Sequence, residues 1–165
     1  MQLSVYQSPL GPFYLWFARG QLVYASFDQT AGEKFTARHF SKTEFTLRAL
    51  PQTYSQELDS YFRGEKVEFN WPLLFRGTPF QMQVWDEIKR IPHGSVSTYK
   101  TIAANLGTKA YRAVGRAVGA NPISIIVPCH RVLGTNGLGG YAFGLNVKRL
   151  LLELENVNLA PNLQA

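Results

Sequence analysis

The chain changes its hydrophobic rhythm once, near Gly77, and that change restricts the folds open to it. Before Gly77, residues 3–7, 13–17 and 22–27 are short runs rich in Val, Tyr, Phe, Trp and Leu. Ser8-Pro9-Leu10-Gly11-Pro12 and Ala18-Arg19-Gly20-Gln21 punctuate them, which predicts a small antiparallel meander. Helical spacing follows over 31–40 and 53–63, with Gly64 as the stop. Residues 67–77 read as a linker with an extended piece. After Gly77 the pattern is mostly helical. Thr78-Pro79 starts a helix that runs to about Ile91, with Phe80, Val84 and Ile88 on one face. Thr98 caps a short helix from Tyr99 to Leu106, closed by Gly107, and Thr108 caps another from Lys109 to about Gly119. Ile125-Ile126-Val127 reads as a buried strand. A last helix spans about Leu145 to Glu155, with Val147, Leu150, Leu151 and Leu154 on one stripe. The expected class is α+β. A small N-terminal antiparallel-sheet domain (1–77) precedes a mostly helical C-terminal domain (78–165) that contains a helix-turn-helix.

Charge and cysteine usage narrow the function classes. Residues 1–77 carry 8 basic and 7 acidic side chains, whereas 78–165 carry 9 basic and 4 acidic. From Ile88 to Leu152, 65 residues in all, there is no Asp or Glu. A field of this sign suits a polyanion such as nucleic acid. The chain has 1 cysteine, so an internal disulfide scaffold is excluded and a reducing, cytoplasmic setting is expected. The N-terminus has no basic and apolar leader pattern, and no stretch reaches the ~20 apolar residues of a membrane span. One Cys and three scattered His (His39, His93, His130) lack metal-ligand spacing, so no metal is expected.

The chemistry-bearing residues lie within the acid-free run or beside it. On the second helix of the helix-turn-helix, Ala110, Val114, Ala117 and Val118 share one side and are expected to pack inward. The other side presents Lys109, Arg112 and Arg116, separated only by Ala113, Gly115 and Gly119. Glycines inside a helix cost roughly 1 kcal/mol each relative to alanine. A slim basic face that lets another backbone approach closely is the expected return. Cys129 stands in Pro128-Cys129-His130-Arg131. An imidazole next to a thiol is how a nucleophilic thiolate is generated. His130 then needs an orienting acid. Glu153 and Glu155 flank Leu154 and point in different directions, and either one can face the site. A glycine-rich loop, Gly134 to Gly144, carries Tyr141 and suits closure over a flat ligand, but it lacks phosphate-loop spacing.

Taken together these residues resemble the O6-alkylguanine-DNA alkyltransferases, the methylated-DNA–protein-cysteine methyltransferases. The matching string is Asn121-Pro122, Ile126-Val127-Pro128-Cys129-His130-Arg131-Val132, Gly137, Gly140-Tyr141, Gly144-Leu145, Lys148, Leu151-Leu152 and Glu155. Thr98-Tyr99 and Arg112-Ala113-Val114-Gly115 match upstream. The resemblance implies irreversible, single-turnover transfer of a methyl or other alkyl group from O6 of guanine, and from O4 of thymine, to Cys129, with no cofactor. It implies that His130 takes the thiol proton through water, that Glu155 orients His130, and that Asn121 braces the active-site turn. Tyr99 would help evert the base, and Arg112 would fill the gap left in the stack. Lys109, Arg116, Ala113, Gly115 and Thr98 would meet DNA in the minor groove. Val132, Tyr141, Ala142, Phe143 and Ser124 would form the substrate pocket. A monomer acting on double-stranded DNA is implied, with cooperative binding left open. Two departures stand out: there is no cysteine set for the zinc that some members carry, and Ala142-Phe143 replaces a smaller pair, a change that leaves open whether Phe143 narrows or re-lines the pocket. A non-enzymatic binder of alkylated DNA is the alternative, but such relatives lack the cysteine. A cysteine hydrolase built from Cys129, His130 and Glu155 leaves the cationic helix unexplained.

Overall fold

The structure is a computed structural model that describes residues 1–41 and 44–161. The expected meander is present as β1 (Gln2–Ser8), β2 (Gly11–Ala18) and β3 (Gln21–Ser26), paired antiparallel. A two-residue strand, β4 (Thr46–Leu47), adds parallel to β1, giving the order β3-β2-β1-β4. Alternation along β2 sends Phe13, Leu15 and Phe17 to one face of the sheet and Trp16 to the other. Helix α1 (Gln29–Phe40) starts where the Asp28 carboxylate accepts a hydrogen bond from the Ala31 amide. It covers the Trp16 face at Gly32, where any β-carbon would collide with the indole. Helix α2 (Gln52–Phe62) follows, and Gly64, with φ +83°, turns the chain away from it.

The stretch expected to be a linker with an extended piece does contain an extended piece, but it is packed structure. Leu22 donates its amide to Pro72 and accepts from Leu74, so residues near Leu73 extend alongside β3. Trp71 is buried and stacks on Tyr54. An aromatic-rich segment held to a neighbour by a few hydrogen bonds and ring contacts carries little periodicity, which hides it from a sequence reading.

Helix α3 (Pro79–Lys89) starts at the expected Thr78 cap, and the structure extends it to a full capping box in which the Gln81 side chain accepts from the Thr78 amide. Helix α4 (Tyr99–Asn105) is capped by Thr98. Helix α5 runs Tyr111–Gly119, not from Lys109. The Thr108 hydroxyl accepts from the Ala110 amide, an arrangement that holds residues 108–110 outside the helix. Ala110 is therefore exposed, while Val114, Ala117 and Val118 are buried as expected. The Trp85 indole N–H donates to the Ala117 carbonyl at 2.8 Å and locks α3 to α5. Strands β5 (Ser97–Thr98) and β6 (Val132–Leu133) form a short parallel pair. Helix α6 (Leu145–Leu154) closes the fold with Leu151 and Leu152 inward, but Leu150 is 48% exposed and does not belong to the buried stripe.

One hydrophobic cluster runs through both halves: Phe13, Leu15, Leu22 and Ala25 of the sheet join Val84, Trp85, Ile88, Val114 and Ile123. The site described next lies where these halves meet.

Candidate active site

Asn121-Pro122 ends α5, and the chain then pairs with the edge of β3. Ala25 donates to Pro122 and accepts from Ser124, both at 2.9 Å. The expected strand over Ile125–Val127 does not form. Ile125 and Ile126 turn the chain back on itself, with the Val127 amide donating to the Ile123 carbonyl at 3.0 Å. The run is apolar because it is buried on all sides, which mimics a core strand. Ile125 has φ +70°, a conformation that costs a β-branched residue energy and persists only where surroundings enforce it. Asn121 is part of that enforcement. Its amide donates to the Val127 carbonyl at 2.8 Å, and its side-chain oxygen accepts from the Ile123 amide at 3.0 Å. Pro128 then leads into a single turn of 3-10 helix, Cys129–Arg131, which presents the thiol.

Behind the thiol lies a buried polar cluster. His130 Nε2 is 2.6 Å from Glu155 Oε1. Arg131 grips the same carboxylate from Nε at 2.8 Å and Nη2 at 2.9 Å, and its Nη1 donates to the Ile91 carbonyl. The Tyr61 hydroxyl donates to Glu155 Oε1 at 2.7 Å and lies 3.4 Å from His130 Nε2. Desolvation alone would raise the Glu155 pKa, but the hydrogen bonds from His130 and Arg131 hold it well below the usual carboxylate range. An ionised carboxylate accepts, so the imidazole proton sits on Nε2. That leaves His130 Nδ1 with a lone pair, and it is buried with no partner among the described residues. Burial pushes the His130 pKa down against the pull of Glu155, and the ring is neutral at physiological pH. Burial pushes the Cys129 thiol up, opposed by the Asn121 hydrogen bond and by the charge of Lys148. Lys148 is itself buried, donates to the Val132 carbonyl at 2.6 Å and the Gly140 carbonyl at 3.1 Å, and is lowered to about 8 by desolvation. Cys129 is thus a protonated thiol at rest, with a neutral base beside it.

Cys129 is 8% exposed and opens into a cavity of about 210 Å³. Tyr99, Gly115, Val118, Gly119, Ser124 and Tyr141 are among its walls. The cavity therefore reaches from the thiol to the glycine face of α5. Gly115 and Gly119 have nothing within 4 Å of where a β-carbon would stand, so the face is open and not packed against a neighbour. The glycine-rich loop folds against Tyr99. At Gly139 (φ +72°) a β-carbon would lie 2.9 Å from the Tyr99 hydroxyl, so only glycine allows the approach. The Tyr141 hydroxyl is buried with no partner among the described residues.

The structure thus gathers Cys129, Tyr99, Asn121, Ser124, Tyr141, Ala142 and Gly115 at one cavity, with His130 and Glu155 in contact behind it. The choice between Glu153 and Glu155 falls to Glu155, which is buried while Glu153 is exposed. Arg112 and Arg116 are exposed on α5, and Ala113 is half-buried there. Lys109 is exposed but lies ahead of the helix, so the expected three-residue basic face on one helix is reduced to two. The Thr98 hydroxyl is spent on capping α4 and on Thr101. Val132 is fully buried away from the cavity, and its carbonyl is taken by Lys148. Phe143 does not narrow the cavity. Its ring packs edge-on against Phe27 and Tyr141, because a large apolar ring gains more from burial on the neighbouring aromatics than from solvent.

Tyr61 was not foreseen, nor were roles for Arg131 and Lys148. Tyr61 lies 69 residues from His130 in the chain, and nothing local marks it. Lys148 did carry a signal: with Leu151 and Leu152 it occupies the i, i+3, i+4 positions of a core-facing stripe, where a lysine must find buried acceptors.

Comparison with known proteins agrees over almost the whole length. Residues 1–75 match the 6-O-methylguanine DNA methyltransferase ribonuclease-like domain, and residues 79–157 match the 6-O-methylguanine DNA methyltransferase DNA binding domain. The chain is 43% identical to a methylated-DNA–protein-cysteine methyltransferase of Methanosarcina acetivorans, across 94% of this chain and 98% of that protein. A Saccharolobus islandicus protein of the same description is 41% identical, across 94% and 96%. The crystal structure of Mycobacterium tuberculosis OGT in complex with DNA superposes with a TM-score of 0.82 at 40% identity, covering 94% of this chain and 92% of that one. The O6-methylguanine-DNA methyltransferase of Pyrococcus kodakaraensis gives 0.71 at 30% identity, covering 94% and 99%.

Proposed function

The chain belongs to the 6-O-methylguanine DNA methyltransferase family, a methylated-DNA–protein-cysteine methyltransferase that repairs DNA by alkyl transfer to cysteine, and we propose that its acceptor is Cys129 acting on O6-alkylguanine turned out of a duplex. The observation that carries this reading is a cavity that joins the only cysteine of the chain to the open glycine face of α5. A lesion inside a base stack cannot meet the sulfur, so the nucleotide must be extruded at a cost of a few kcal/mol. Arg112 and Arg116, with Lys109 nearby, supply salt-dependent contacts to phosphates, and Arg112 enters the gap the nucleotide leaves. The slim face of α5 suits the shallow approach of a helix to the minor groove.

In the cavity, the sulfur attacks the alkyl carbon attached to O6. The S–C bond forms as the C–O bond breaks. The thiol proton passes through water to Nδ1 of His130, whose Nε2–H is held by Glu155. Guanine leaves with a proton donated by the Tyr99 hydroxyl, which recovers it from His130 through solvent. The product thioether is inert to water, so each molecule reacts once. O4-alkylthymine presents the same alkyl–oxygen bond and is a second substrate. The protein acts as a monomer.

The test is Cys129→Ser mixed with a methylated duplex. It is expected to bind the DNA with near wild-type affinity and to take up no methyl group. Methyl uptake by the serine variant would overturn the assignment.

A further inference from the structure

Resting on that reading, we propose that Tyr61 of the N-terminal half is a positioning residue for the transfer. Its hydroxyl, donated to Glu155, holds the carboxylate in register with His130 and limits how strongly it draws a proton onto the imidazole. The geometry is specific. Glu155 Oε1 receives Tyr61 Oη at 2.7 Å, Arg131 Nη2 at 2.9 Å and His130 Nε2 at 2.6 Å, while Oε2 receives Arg131 Nε alone among the described residues. Three donors converge on one oxygen, and each weakens what the others get from it. The Tyr61 ring is fully buried and is clamped edge-on by Phe62 and His93, with Phe69 tilted against it. Its hydroxyl therefore has a fixed direction. Burial and the neighbouring Glu155 charge push its own pKa well above the tyrosine range, so it remains a neutral donor at every working pH.

Removing that hydroxyl leaves Glu155 with one donor fewer in a site closed to solvent. The carboxylate then attracts the His130 proton more strongly, the imidazolium form is favoured, and the His130 pKa rises. Transfer needs neutral His130, so the acid limb of the rate profile must move to higher pH. The other charged or titratable groups around this cluster are Arg131, His93, Tyr141, Lys148 and Cys129, and Tyr61→Phe leaves all of them in place.

The experiment measures single-turnover methyl uptake from a methylated duplex between pH 5 and pH 8, a range that brackets histidine titration, for wild type, Tyr61→Phe and a packing control, Leu3→Ala, in the separate cluster around Trp16. In parallel, histidine ring resonances of the DNA-free proteins are titrated, the three signals being assigned by single substitutions at His39 and His93. The expected result for Tyr61→Phe is an upward move of roughly 0.5–1 pH unit in both the acid limb and the His130 titration. Leu3→Ala is expected to melt earlier with neither value moved. If Tyr61→Phe fails to fold, Tyr61→Met, whose flexible apolar side chain adapts to the site and lacks a hydroxyl, repeats the test. A lowered melting temperature with an unmoved limb and an unmoved His130 titration would reduce Tyr61 to packing and overturn the proposal, as would a downward move. Absence of methyl uptake by the wild type would instead sink the functional reading, and the histidine titration would still decide the role of Tyr61.

Discussion

Glu155 is the residue on which the chemistry balances. It is 2% exposed, yet three side chains hold it ionised. A buried carboxylate is costly unless paired, and removing its charge leaves Arg131 buried without a counterion. Glu155→Gln is expected to cost about 3 kcal/mol at neutral pH, read from the urea midpoint. The pH dependence has a definite sign. The folded pKa lies below the unfolded value, so this stabilisation is complete above the ordinary carboxylate range and is lost as pH falls through the folded value. Wild type should therefore lose stability on acidification in a way that Glu155→Gln does not share. Parallel curves would show that the cluster is not ionised in the fold. At the same scale, the raised thiol pKa means Cys129 depends on a base at the moment of reaction, unlike a cysteine already ionised by its surroundings.

Helix α5 shows how an element trades stability for function. Gly115 lies mid-helix with open space at its missing β-carbon, so Gly115→Ala meets no clash. The substitution is expected to raise stability by about 0.5–1 kcal/mol and to slow transfer from duplex DNA, because the added methyl group stands on the open face beside the cavity. A stabilised variant with undiminished transfer would show that α5 does not approach the duplex there. Sequence reading served well for elements with local signatures: the Thr78-Pro79 helix start, the Thr98 cap and the three-strand meander were all visible in a few residues. It failed where long-range packing overrode local pattern. Ile125 and Ile126 look like a strand because they are apolar, and only the pairing of the preceding Ile123 with Ala25 and the grip of Asn121 on Ile123 and Val127 make them a turn. The sulfur, the imidazole and the cationic helix were legible together because they share one stretch of chain. Tyr61 was not, because it reaches the site from the other half.

At the scale of the whole molecule, the two halves divide the labour without dividing the core. The N-terminal sheet braces the reactive turn through Ala25 and sends Tyr61 to Glu155, while the C-terminal half carries the sulfur, the cavity and the basic helix. With net charge +6 and no acid from Ile88 to Leu152, the molecule carries a field that suits DNA and weakens with salt. On the proposed mechanism Cys129 is consumed by its own product, which would make the protein a reagent and not a turnover catalyst. That is decided most directly by the intact mass of the protein after incubation with increasing excesses of methylated duplex. The expected result is a gain of one methyl group per molecule that reaches a plateau and maps to the peptide containing Cys129. Continued demethylation of DNA beyond one equivalent, or a protein whose mass does not change, would contradict it.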